Sequence, residues 1–114
     1  MAFSEVELKH IDQIVGGLCR CRNRPELKDE LSLEFKVEGH DVVLFEHRPR
    51  YGARVGVTDS PIAKLTFVRT KGEWRLFWRR QDLKWHGYER LSSSRKLDEL
   101  VAEIDEDPYG CFFG

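Results

Sequence analysis

The sequence lacks the features that mark exported and membrane proteins. No apolar run approaches the ~18 residues that a membrane span needs. The first residues, Met1 to Glu7, contain no basic region of the kind that opens a signal peptide. We therefore expect a chain that has no membrane partner and stays in the cytoplasm. A length of 114 residues leaves room for one hydrophobic core, so a single domain over 1–114 is expected.

Cysteine is scarce as well. The chain has three cysteines, Cys19, Cys21 and Cys111, an odd number that does not form a disulfide framework and is typical of a reducing cytoplasm. Structural zinc needs paired thiolates two to four residues apart, and this single Cys-x-Cys has no second pair. We expect three free thiols and neither a metal nor a cofactor. Cys19 should be buried and Cys21 exposed, because a helix sends them to different faces.

Recognisable catalytic motifs are absent too. Gly16-Gly17 lies inside an expected helix, so the chain has no glycine-rich phosphate loop. Asp41 with Glu46-His47-Arg48 differs from a metal-dependent nuclease site, because arginine cannot act as a base and the two carboxylates fall on opposite faces of a strand. No catalytic residue is predicted. An enzyme ranks third among the functions considered, and a pocket holding His86 or His47 beside a carboxylate would favour it.

Charge is unevenly distributed along the chain. Residues 1–46 carry 6 basic against 10 acidic side chains, residues 47–96 carry 13 against 4, and residues 97–114 carry none against 6. These segments have charges of −4, +9 and −6 within a net charge of −1. The basic middle has two interpretations. It binds an anionic partner, or the acidic ends fold back onto it and neutralise it.

Two amphipathic helices frame the chain. Ser4 and Glu7 have the spacing of a capping box, and an apolar stripe predicts a helix of about five turns that stops at Asn23. A second helix has apolar residues at i, i+3, i+4 and i+7 from Leu97, and the serines at 92–94 are expected to cap it. It ends before Pro108. The aromatic tail, 109–114, is expected to pack on the domain or on a partner.

Between the helices the hydrophobic period changes to two. The predicted strands are Leu31 to Val37, Asp41 to His47, Ile62 to Arg69, Glu73 to Arg80 and Lys84 to Tyr88. Residues 48–61 hold two prolines and no periodicity, which predicts a long loop that serves as a binding loop or lid. A two-residue turn at Lys71-Gly72 would set Lys64 opposite Arg79. The predicted class is α+β, with an N-terminal helix, an antiparallel meander of four to five strands and a C-terminal helix.

The basic excess coincides with aromatic residues on the predicted sheet and loop. Phosphates need cations and bases stack on rings, so this mixture is typical of a surface that binds single-stranded nucleic acid. The leading hypothesis is a non-enzymatic module for an anionic partner, nucleic acid first. The alternative is a structural or protein-interaction module, a homodimer formed through a sheet edge or the tail Cys111-Phe112-Phe113. The candidate binding residues are Arg48, Arg50, Arg54, Lys64, Arg75, Phe77, Arg79, Arg80, Lys84, Trp85 and His86.

Several segments together resemble one family. They are Phe3-Ser4-Glu5, Asp41 to Glu46, Trp74 to Trp78, Leu83 to His86 with Tyr88, and the closing Asp107-Pro108-Tyr109-Gly110-Cys111-Phe112-Phe113-Gly114. Nearly end to end, the chain resembles a bacterial family known as domain of unknown function number 3024. The resemblance implies a stand-alone bacterial protein of one domain. It implies no activity, cofactor or catalytic residue.

Overall fold

The chain folds as a helix, an antiparallel sheet and a second helix. The computed structural model describes residues 3–23, 32–50, 56–79, 82 and 84–112, and at 48–50 and 56–59 it describes the backbone alone. The elements in chain order are α1 Glu5–Arg22, β1 Ser32–Glu38, β2 Asp41–Arg50, β3 Gly56–Val68, β4 Glu73–Arg79, β5 Trp85–Gly87, β6 Ser93–Ser94 and α2 Leu97–Glu106. The predicted α+β class is confirmed.

Helix α1 begins at the predicted capping box. The Ser4 backbone N–H donates to Glu7 Oε1 at 2.9 Å, and the Glu7 N–H donates to Ser4 Oγ at 3.2 Å. The bond from the Ser4 backbone, followed by Arg69, lowers the pKa of the Glu7 carboxyl. The helix ends at Asn23, as predicted, and its buried side includes Ile11, Val15 and Leu18.

The sheet is a meander in the order β1-β2-β3-β4-β5, and the short β6 also pairs with β4. The predicted long loop over 48–61 is wrong, because β2 and β3 continue as a paired ribbon through 48–50 and 56–61. Pro61 lies opposite Phe45 at a register shift, where a missing N–H is tolerated. Pro49 lies beyond His47, the last residue of β2 that pairs with β1.

The turn between β3 and β4 is longer than predicted, and the register differs by two residues. It spans four residues, 69–72, and Lys71 N–H donates to Val68 O at 3.1 Å. A two-residue turn would need positive φ at both Lys71 and Gly72, and only Gly72 adopts it, at 62°. Lys64 therefore lies opposite Phe77, and the predicted pair of Lys64 with Arg79 is wrong. A shift of two leaves every side chain on its predicted face.

Both helices pack on the same face of the sheet. Leu44, Leu65 and Leu76 from β2, β3 and β4 are buried against apolar residues of α1 and α2. The α2 positions Leu97, Leu100, Val101 and Ile104 are all buried, as predicted. Truncating one such residue to Ala costs roughly 2–5 kcal/mol. No helix in the described part of the chain is long and apolar enough to cross a membrane.

The serines before α2 do not cap it, which corrects the prediction. The N-cap is Lys96, which makes no side-chain capping bond. Ser93 and Ser94 instead form β6 and pair with Arg75 and Trp74 of β4. β5 pairs with β4 only at residues 77–79. The beginning of β4 is therefore available to pair with Ser93 and Ser94.

The described part of the C-terminal tail, up to residue 112, folds back on the domain, as predicted, and residues 113–114 lie outside the described residues. Asp107 ends α2 in the left-handed conformation at φ 45°, and its Oδ1 accepts the Phe112 N–H at 3.0 Å. Phe112 is buried against Tyr88, with ring centroids 5.1 Å apart. Tyr109 stays exposed.

Candidate functional site

One face of the sheet is covered by neither helix, and we call it the open face. Successive residues of a strand point to opposite faces. Leu65 and Leu76 face the helices, so Lys64, Arg75 and Phe77 point the other way. Val43, opposite Lys64, is only 7% exposed, yet it does not belong to the core cluster that contains residues of the helices. This agrees with its place on the open face.

Lys64 is held between two aromatic rings of the open face. Its Nζ lies 5.0 Å from the centroid of Phe77 and 5.2 Å from that of Trp85. The pairing explains this arrangement, since Lys64 is opposite Phe77 while Trp85 comes from the next strand, opposite Arg79. An amine within about 6 Å of a ring is attracted to its π-face.

Two arginines flank these rings on β4. Arg75 is exposed and lies between Thr66 of β3 and Ser93 of β6. Arg79 is half-buried, and its Nε is buried without a hydrogen-bond partner in the described part of the chain. A buried N–H that lacks an acceptor costs free energy.

The open face is divided by charge. Toward β1, the Lys36 amine meets the Glu38 carboxylate at 3.0 Å, and His47 Nδ1 lies 3.6 Å from Glu34 Oε2. Asp41 Oδ1 accepts the Thr66 hydroxyl at 2.6 Å. The basic part is therefore confined to β3, β4 and β5.

The acidic ends neutralise part of the basic middle, but on other surfaces. Arg69 pairs with Glu7 of α1 at 3.2 Å, and Arg90 pairs with Glu103 of α2 at 2.8 Å. Among the described residues, no carboxylate forms an ion pair with Lys64, Arg75 or Arg79. Neutralisation by the acidic ends therefore applies to Arg69 and Arg90, and binding of an anionic partner stays a prediction for Lys64, Arg75 and Arg79.

A small pocket opens on the open face between β5 and β6. Its volume is about 270 Å³. It exists because β5 pairs with β4 at 77–79 and β6 pairs at 74–75, so the two strands do not meet. Backbone hydrogen bonds to Leu76 hold both sides of the pocket. The Leu76 N–H donates to Ser92 O at 2.9 Å, and the Tyr88 N–H donates to Leu76 O at 3.0 Å. Its lining includes Glu73, Arg75, Phe77, Gly87, Ser92 and Ser93.

A larger cleft of about 680 Å³ lies beside β5 and the tail. His86 lies in its wall, and His86 Nε2 is 2.9 Å from Asp82 Oδ2. Histidine beside a carboxylate is an arrangement that orients the ring for acid–base chemistry. The cleft is also lined by Trp78, Arg90, Tyr109 and Cys111.

A buried hydrogen-bond network supports the floor of this cleft. The Tyr88 hydroxyl donates to Glu103 Oε2 at 2.7 Å, and Arg90 Nε donates to the same oxygen at 2.8 Å. Burial, then the bond to Glu103, raises the pKa of Tyr88 well above its ordinary value. The guanidinium of Arg90 also lies over the Tyr109 ring, at 5.7 Å. Tyr88 is therefore a neutral structural residue.

The cysteines are free thiols, as predicted, with Cys19 buried and Cys21 exposed. Burial, with a contribution from the Glu34 charge, raises the pKa of the Cys19 thiol to about 11. A thiol with such a pKa is a poor nucleophile. Within the described ranges no cluster of three side chains could hold a metal ion.

Comparison with known proteins identifies the family. The model of the family described as domain of unknown function, DUF3024, matches residues 3–114. The chain belongs to the DUF3024 family. This confirms the family resemblance found in the sequence, and the match includes the open face, the small pocket and the cleft. No curated protein and no solved structure matches the chain.

In this DUF3024 protein, the open face brings part of the predicted site together. It joins Lys64, Arg75, Phe77, Arg79 and Trp85. His86 pairs with Trp78 and lies on the other face, in the cleft. The remaining predicted residues are Lys84, exposed just before β5; Arg48 and Arg50, described by backbone alone in β2; and Arg54 and Arg80, which lie outside the described residues.

The sequence interpretation missed the small pocket. Gly87 lines the pocket without a side chain, which gives no signal in the sequence. Ser92 and Ser93 have the sequence pattern of a helix cap. The surfaces proposed for a homodimer are partly occupied within the chain. Phe112 is buried, and the Asn23 amide bonds the Leu33 backbone at the edge of β1, accepting its N–H at 2.7 Å and donating to its O at 3.0 Å.

Proposed function

We propose that this DUF3024 protein is a non-enzymatic module that binds single-stranded nucleic acid on its open face. The observation that carries the proposal is the position of Lys64 between Phe77 and Trp85, with Arg75 and Arg79 beside them, on a face that neither helix covers. The proposal includes a bacterial cytoplasm as its setting, which the three free thiols support, and a single domain as its working unit.

The physical basis is the pairing of cations with rings. Phosphates are neutralised by Lys64, Arg75 and Arg79, and bases stack on rings at about 1–3 kcal/mol each. Phe77 and Trp85 stand on adjacent strands, which lie roughly 4.8 Å apart, so one strand of nucleic acid spans both. A duplex offers no free base faces to these rings, which is why the proposal specifies single strands.

The test is a salt titration of binding to single-stranded DNA and RNA by fluorescence anisotropy. Three phosphate contacts give a slope of log K against log salt of about −2. The double variant Arg75→Ala/Arg79→Ala should weaken binding roughly tenfold or more at low salt and flatten the slope by about 1.4.

The matched control removes two charges elsewhere. Lys9 and Arg20 are both exposed on α1, so Lys9→Ala/Arg20→Ala changes the net charge equally and leaves the open face intact. Binding by this control should match the wild type. Absence of binding at low salt, or equal loss in both double variants, would reject the proposal.

The cleft favours a second candidate, a protein that binds a small molecule with His86 as an acid–base group. A volume of about 680 Å³ is within the range of small-molecule sites. A thermal-shift screen of small anionic and aromatic compounds should yield one that raises the Tm of the wild type and of His10→Asn, an exposed control on α1, but not of His86→Asn. Equal responses in all three proteins, or no response in any, would reject it.

A further inference from the structure

The small pocket of the open face has a chemistry of its own. Three residues of β4, Glu73, Arg75 and Phe77, point into it at alternate positions, and Ser92 and Ser93 face them across the gap. Gly87 lies directly opposite Phe77. The pocket is therefore walled by a ring, a cation, a carboxylate and hydroxyl-bearing residues.

Gly87 keeps the pocket open. A Cβ at this position would meet no atom within 4 Å, and its φ lies outside the left-handed region. Neither packing nor backbone conformation thus requires glycine here. Because Gly87 has no side chain, the pocket between it and Phe77 leaves room for a flat group against the ring.

Resting on the proposed function, we infer that this pocket receives one base of the bound strand and selects cytosine over uracil through its exocyclic amine. The base stacks on Phe77, and Arg75 neutralises its phosphate. A carboxylate accepts hydrogen bonds, so Glu73 bonds the amine of cytosine, a pairing that carboxylates make with this base. Uracil presents an oxygen at that position, which the carboxylate repels.

The pocket size agrees with this occupant. About 270 Å³ is at or below the lower limit of sites for drug-sized ligands, so it holds one base rather than a stacked pair. Neighbouring nucleotides continue over Trp85 and Lys64. Discrimination should therefore come from one position of the strand.

The experiment compares oligocytidylate with oligouridylate of equal length, at slightly alkaline pH, where cytosine is unprotonated. The wild type should bind oligocytidylate roughly tenfold more tightly, as expected for one well-placed base contact. Glu73→Gln should bring the ratio close to one, because an amide both donates and accepts. Gly87→Val should place a branched side chain beside Phe77, narrow the pocket and weaken both interactions to a common value.

Gly17→Ala is the matched control. A Cβ at Gly17 also meets nothing within 4 Å, and the residue lies in α1, so base preference should be that of the wild type. Thermal denaturation checks that each variant folds. Binding without preference, or a preference that survives both Glu73→Gln and Gly87→Val, overturns the pocket and leaves the proposed function standing. No binding to either oligonucleotide overturns the proposed function and the pocket together.

Discussion

At the scale of single residues, Lys64 makes the most informative contact of the open face. Its amine lies near two rings, and each such contact contributes roughly 0.5–1 kcal/mol at an exposed site. Among the described residues no carboxylate pairs with it. The amine is therefore both positioned and available for a phosphate.

Replacing Lys64 by Met keeps an apolar chain of similar length against the rings and removes the charge. We expect the free energy of unfolding to fall by less than about 2 kcal/mol, the sum of two such contacts, and the salt slope of nucleic-acid binding to flatten by about 0.7. Chemical denaturation and anisotropy measure the two effects. Lys71→Met, in the exposed β3–β4 turn, is the control. Equal weakening by both variants would mean that overall charge drives binding.

Cys19 gives a prediction on pH. Its pKa is about 11 in the folded chain against an ordinary 9.0, so the unfolded state loses this proton first. Stability from Cys19 is thus complete below about pH 9 and is lost as the pH rises toward 11, by at most about 1.4 kcal/mol per pH unit.

Urea unfolding of two variants across this range isolates the effect of Cys19. Cys19→Ala should show a shallower loss of stability with pH than the wild type, whatever its stability at neutral pH. Cys21→Ala, at an exposed position, should keep the wild-type slope. Identical slopes in all three proteins would contradict the assignment to Cys19.

At the scale of elements, α2 starts without the serine cap that its sequence predicts. Lys96 occupies the N-cap position with extended backbone, φ −105° and ψ 110°, but bonds no helix N–H. This backbone suits a hydroxyl or carboxylate cap. Ser93 and Ser94 pair with β4 through their backbones, and the Ser94 hydroxyl accepts the Lys96 N–H at 3.0 Å and donates to Glu99 Oε2 at 2.8 Å instead of capping a helix N–H.

Lys96→Ser should therefore stabilise the protein by roughly 0.5–1 kcal/mol, because its hydroxyl can accept an orphan N–H of the first turn. Arg95→Ser, one residue earlier, makes the same change of charge outside the cap position and should have no such effect. Guanidinium denaturation compares the two. A gain in both variants would indicate relief of positive charge rather than capping.

Hydrophobic periodicity predicted the helices and strands and the face that each of them buries. It did not predict which residues pair across neighbouring strands, because pairing depends on the tertiary structure. The alternation of Leu65 and Phe67 with Lys64 and Thr66 fixes which side chains share a face. It does not fix the register, which depended on Lys71 avoiding positive φ. The 48–61 segment read as a loop because Pro49 and Pro61 are poor strand residues, and pairing tolerated both at an edge and a bulge.

At the scale of the whole molecule, charge is sorted by surface. Glu7 of α1 and Glu103 of α2 pair with Arg69 and Arg90 at the periphery of the sheet, and the basic part of the open face lies on the side away from the helices. Strand parity in the sequence placed Lys64, Arg75, Phe77 and Arg79 on one face, and the pairing of β5 with β4 adds Trp85 to them. The sequence could not show that neither helix covers this face, nor predict a pocket beside Gly87.

The indole N–H signals of three tryptophans test the central claim most directly, in an NMR titration with a single-stranded oligonucleotide at low salt. Trp85 lies on the open face, whereas Trp74 and Trp78 lie on the helix side. The signals of Trp85 and of the Lys64 and Phe77 amides should shift, while those of Trp74 and the α1 amides stay in place. Shifts confined to the helix side or the cleft, or no shifts at all, would contradict the claim.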